Sequence, residues 1–145
     1  MKIEFIYTYN EKPQAEQNGV PVEFVDAIND DGTIPRIYVR HNGSKYTTTY
    51  QSALEAAYKP FKRRVEANEP AAKTAWTEKV NDLFCDYMIT AWENILDENN
   101  QPIEFTQDNV RSVMRALPEL LGRVVAASVD FDRFRESELK ESAKN

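Results

Sequence analysis

At 145 residues the chain can build one ordinary hydrophobic core and is too short for two. Its 24 acidic side chains outnumber the 18 basic ones, and the net charge of −6 weighs against generic nucleic-acid binding. Its apolar runs fall far below the roughly 20 residues that cross a bilayer, it lacks the charged-then-apolar pattern of a signal segment, and its single cysteine, Cys85, has no internal disulfide partner; the expectation is a chain suited to a reducing cytoplasm, with neither a membrane nor a nucleic acid as partner.

The first fifty residues alternate in the manner of strands. Ile3, Phe5, Tyr7 and Tyr9 form one two-residue series and Val20, Val22 and Phe24 another, separated by the turn-forming residues 13–19. Asn29-Asp30-Asp31-Gly32 predicts a turn before a strand at Ile37-Tyr38-Val39, and Asn42-Gly43 predicts a reversal into a further strand over residues 46–50. Hairpins of this size are marginal alone, so their apolar side is expected to lie on the helices that follow.

From Ser52 the apolar period becomes helical, with Leu54, Tyr58, Phe61 and Val65, while Pro60 predicts a kink or restart. Asn68, Glu69 and Pro70 mark a short connection. Ala72, Trp76, Val80, Leu83, Tyr87, Ala91 and Ile95 then form one stripe, widened by Phe84, Met88 and Trp92, which predicts a long central helix with Cys85 as a small buried side chain. After an acidic turn at residues 97–100, Thr106 is placed to cap a helix through Val110, Val113, Met114 and Leu117, with Asp108 in its first turn. Pro118 should end that helix and open another, whose face continues through Leu121, Val124 or Val125, and Ser128 or Val129. The reading is an α+β fold in a single domain: a small antiparallel N-terminal sheet in a β-rich section 1–50, packed against a predominantly helical body over 51–145. A mostly helical core with a loosely attached hairpin is the competing architecture.

Motifs that carry chemistry are thin. Asp97, Asn99 and Gln101 could open a calcium loop, but Pro102 stands where the glycine belongs and Asp108 where a bidentate glutamate belongs. His41 has no cysteine or paired carboxylate beside it to make a metal cluster, and the four glycines are scattered instead of forming a phosphate loop. No catalytic, cofactor or metal residue is therefore assigned, and an enzyme is not expected. Tyr58 and Phe61 lie among Lys59, Lys62, Arg63 and Arg64, yet they recur at helix-core spacing, which favours a packed helix with a charged edge over a strand-binding platform. Phe131 and Phe134, followed by Arg135, extend beyond the last apolar pattern among charged residues and are the candidate partner-binding group.

The order of pieces over residues 91–128 resembles the carboxy-terminal half of tail-assembly chaperones from long-tailed bacteriophages. The pieces are a helix ending in Ala91-Trp92-Glu93, the acidic turn, Pro102, Phe105-Thr106, Asp108-Asn109 opening a helix, and Leu117-Pro118-Glu119-Leu120. A weaker likeness covers residues 50–64 and the tail around Phe134, Glu138, Lys144 and Asn145. The resemblance implies a noncatalytic assembly factor that binds the phage tape-measure protein and assists tail-tube assembly in the host bacterial cytoplasm without entering the mature virion. It implies no cofactor, admits the major tail protein as a further contact and weak homo-oligomerisation, and assigns Trp92, Pro102, Phe105, Asn109, Leu117 and Leu120 to scaffold or helix boundaries. A structural tail-completion or connector protein is the alternative.

Overall fold

The computed structural model describes residues 18–43 and 47–130. In chain order these form β1 (Val20–Glu23), β2 (Arg36–Val39), α1 (Thr48–Tyr58), α2 (Lys62–Glu66), α3 (Pro70–Tyr87), β3 (Ile89–Glu93), α4 (Gln107–Ala116) and α5 (Pro118–Ser128). The expected α+β fold is what the chain adopts. The series Ile3, Phe5, Tyr7 and Tyr9 lies outside the described residues, as do Phe131, Phe134 and Arg135.

The sheet is antiparallel in the order β1-β2-β3. Alternation decides its faces: Val20, Val22, Ile37, Val39 and Ile89 are buried, and Phe24 continues the series just beyond β1. The opposite face is polar. There Arg36 lies 3.7 Å from Glu23 and 3.4 Å from Glu93, and the Tyr38 hydroxyl donates to Glu93 at 2.8 Å, which pushes the phenol pKa up because the carboxylate favours the protonated form. Gly19 enters β1 at φ +89°, where a Cβ would stand 2.6 Å from the backbone carbon and oxygen of Val39, so only glycine fits the approach to β2. The residue 29–32 turn closes as expected, with Gly32 N–H donating to Asn29 C=O at 2.9 Å.

The helices cover the apolar face. Met88, Val110, Met114 and Val124 are among the most deeply buried side chains and join Phe84, Leu121 and the inward strand residues in one core. Pro60 separates α1 from α2 as predicted, and Tyr58 and Phe61 both pack on Trp76, at ring-centroid distances of 5.0 and 5.5 Å. Pro70 and Pro118 each occupy a first helical turn, where the missing N–H costs nothing. Thr106 caps α4 by accepting from Asn109 N–H at 3.1 Å.

Two expectations are overturned. Residues 47–50 are not a strand: Thr47 leads into α1, and its hydroxyl accepts from Gly43 N–H at 3.1 Å. Thr47 and Tyr50 are buried, Ala53, Leu54 and Ala57 partly so, a helical spacing with Tyr50 set against Phe84 and Tyr87. That ring packing outweighs the strand preference of threonine and tyrosine. The helical stripe also does not continue through Ala91 and Ile95, and residues 91–93 do not end a helix. They belong to β3, which pairs with β2 and would otherwise leave that strand's second edge open.

The helix-like spacing of β3 has a geometric cause. Val39 faces Ile89 and Tyr38 faces Ala91, so Thr90 is an extra residue in β3. That bulge puts Ile89 and Trp92, three apart, on the same inward face. A bulged strand thus imitates the spacing of a helix.

Candidate partner-binding site

Asp82 and Asp86 lie one turn apart on α3, and Arg111 and Arg115 lie one turn apart on α4. The helices run antiparallel here, so the four side chains form two rungs. Arg111 Nε donates to Asp86 Oδ1 at 2.9 Å and a second guanidinium nitrogen reaches Asp86 Oδ2, while Arg115 meets Asp82 at 2.7 Å. Asp82, Arg111 and Arg115 line one wall of a cleft of about 730 Å³ between α3 and the α4–α5 corner, lined also by Glu78, Asn81, Cys85, Met114, Pro118 and Leu121.

Burial, with smaller contributions from Asp82 and Asp86, pushes the Cys85 thiol up to about 11. At neutral pH it is a neutral, buried side chain, not an activated nucleophile. The paired Asp and Arg side chains tie α4 to α3, and the apolar residues beneath them, Cys85, Met114 and Leu121, are buried.

The residues assigned to the scaffold take up the following positions. Trp92 Nε1 donates to Ile103 C=O at 2.9 Å, and its ring meets Phe105 edge-on at 5.4 Å. Pro102 bridges to Leu96, closing the residue 97–100 turn, where Asp97 Oδ1 accepts from Asn99 and Gln101 N–H. The Asn109 amide donates to Glu104 C=O at 2.9 Å. Leu117 C=O accepts from Leu120 and Leu121 N–H at the α4–α5 junction, with the Leu117 side chain exposed and Leu120 packed on the core.

The choice left open along α5 is resolved: Leu121, Val124 and Ser128 are buried, while Val125 and Val129 face outward at 39% and 61% exposure. Nothing in a single stretch of sequence marks the cleft. Its signal was present in the matching four-residue spacing of two aspartates and two arginines, but which helix meets which is a tertiary fact.

The chain is thus an α+β protein with, among the described residues, a bulged three-stranded sheet, a helical body and a cleft beside the paired charges. The family model described as YdaY prophage protein matches residues 43–145, and the chain belongs to that family. It is a phage-derived protein. The matched span holds all five described helices and β3, and leaves out the β1–β2 hairpin. No curated protein and no solved structure matches the chain.

Proposed function

We propose that this prophage protein is a noncatalytic tail-assembly chaperone that binds the tape-measure protein in the host bacterial cytoplasm, assists tail-tube assembly, and leaves before the virion is complete. One observation carries the reading. Helix α5 buries Leu121, Val124 and Ala127 in its own fold, and leaves three aliphatic side chains exposed, Val125 within the helix, Val129 at its C-terminal cap and Leu117 at its N-terminal cap, beside the polar Glu119 and Arg123. Exposed aliphatic side chains gathered at one helix are a common mark of a partner surface. Helix α5 also lies within the residues that resemble tail-assembly chaperones. A tape-measure chain exposes periodic apolar helical segments, and temporary burial against such a face would lower their tendency to aggregate. No bond need be made or broken.

Coexpression with the tape-measure protein encoded beside it tests this. The intact chain should copurify with a soluble tape-measure protein, and Val125→Asp with Val129→Asp should weaken that association while preserving the circular-dichroism spectrum and cooperative unfolding. Phe131→Ala with Phe134→Ala examines the second candidate surface in the same assay. No copurification with a soluble partner would refute the proposal, and stoichiometric presence in purified virions would point to a structural tail-completion or connector protein.

A further inference from the structure

Charge is unevenly distributed over this fold. Residues 21–35 carry Glu23, Asp26, Asp30 and Asp31 with no lysine or arginine, and residues 93–108 carry five more carboxylates, Glu93, Asp97, Glu98, Glu104 and Asp108, again with no cation. The fold brings the two stretches together. Asn29 Nδ2 donates to Asn94 C=O, and Asn94 Nδ2 donates to Ile34 C=O, both at 2.9 Å. Arg36 and Arg123 offset only part of this charge, through Glu23, Glu93 and Asp26. Within the β1–β2 loop Val25 and Ile28 are 63% and 53% exposed. The loop is held in shape by Asn29 N–H on Thr33 C=O at 2.9 Å and by Asp31 on Thr33. An ordered loop therefore presents an aliphatic centre with an acidic rim, the usual anatomy of an interface patch.

The end of α1, α2 and the first half of α3 have the complementary character. Residues 59–79 hold Lys59, Lys62, Arg63, Arg64, Lys73 and Lys79 against Glu66, Glu69 and Glu78, in a chain whose net charge is −6. Arg64 is paired with Glu69 at 3.7 Å. The other five cations have no carboxylate partner among the described residues. At their centre Tyr58, Phe61 and Trp76 form a half-buried aromatic cluster. This arm has an apolar centre and a basic rim.

We propose that the basic aromatic arm of one copy docks on the acidic β1–β2 loop of a second copy, so that the protein associates head to tail. The two surfaces differ, so the contact is heterologous and can repeat from copy to copy. Opposite rims supply attraction and register, while Val25 and Ile28 against the arm's aromatic edge supply apolar burial. With two exposed aliphatic side chains on one side and three half-buried rings on the other, the association is expected to be weak and to depend on concentration.

The test is light scattering and sedimentation of the full chain, before and after nuclease treatment, over a range of concentrations at low and high salt. The expected result is a mass above the monomer's 16.7 kDa that grows with concentration at low salt, with association weakened about tenfold or more as salt screens the rims. Lys62→Glu with Arg63→Glu on the arm, and Asp30→Lys with Glu98→Lys on the acidic side, should each leave the chain monomeric under the same conditions. An equimolar mixture of the two variants should associate again, because the reversed arm now matches the reversed loop. A monomer at every concentration and salt would overturn the proposal. So would variants that associate like the parent, or association strengthened by salt, which would indicate apolar pairing through α5. A higher mass that disappears on nuclease treatment would assign the arm to nucleic acid instead.

Discussion

Arg111→Ala should destabilise the fold much more than Arg115→Ala, although both arginines tie α4 to α3. The inner pair, Arg111 and Asp86, has side-chain exposures of 30% and 10%; the outer pair, Arg115 and Asp82, has 63% and 21%. Removing Arg111 leaves a nearly buried carboxylate without its two-pronged partner. Breaking a fully buried pair costs about 3–5 kcal/mol, and partial access of water to the arginine side brings the expected loss to about 2–4 kcal/mol. The outer rung is open to water and should contribute less than about 1 kcal/mol. Urea unfolding followed by tryptophan fluorescence, carried through double-mutant cycles with Asp86→Ala and Asp82→Ala, separates the coupling from the loss of each side chain. The inner coupling should be about 1.5–3 kcal/mol, the strength of hydrogen bonds to charged groups. Couplings that agree within about 0.5 kcal/mol, or an outer coupling larger than the inner, would refute the argument that burial sets their difference.

Gly19→Ala should destabilise by more than the roughly 1–2 kcal/mol of a left-handed residue, because its Cβ meets the Val39 backbone at 2.6 Å; thermal unfolding measures it, and an unchanged midpoint would contradict the close approach. The Cys85 thiol, raised from 9.0 to about 11, should hold about a hundredfold less thiolate at pH 8 than an unperturbed cysteine. Alkylation should be slow in the native protein and speed up in denaturant, and rapid native labelling would count against its burial. Arg123 bonds to Asp26, and Thr33 to Asp31, holding both carboxyls below their ordinary 3.8. A depressed folded-state pKa stabilises above the unfolded value and loses that contribution as pH falls through the folded one, so the β1–β2 loop should loosen only below about pH 3.8. Carboxyl titration by NMR should show Arg123→Ala returning Asp26 toward 3.8 while Asp31 stays depressed; an unmoved Asp26 would exclude the guanidinium as the cause.

The sequence alone determined the features whose causes are local. Thr106 caps α4 because its oxygen lies three residues from an unsatisfied N–H, Pro70 and Pro118 open helices because they need no donor there, and the residue 29–32 turn and strands β1 and β2 follow from short-range geometry. Tertiary structure decided what depends on distant partners. Thr47 and Tyr50 became helical because Phe84 and Tyr87 receive Tyr50, and residues 89–93 became a strand because β2 had an edge to pair. No local period could reveal the second case, since the bulge at Thr90 gives β3 the spacing of a helix. The candidate site divides in the same way. The spacing of Asp82 with Asp86 and of Arg111 with Arg115 is written in the chain, whereas their pairing, the cleft beside them and the outward turn of Val125 and Val129 arise only when α3, α4 and α5 pack. Periodicity fixes which residues share a helix face; packing fixes which face is buried and which is left exposed.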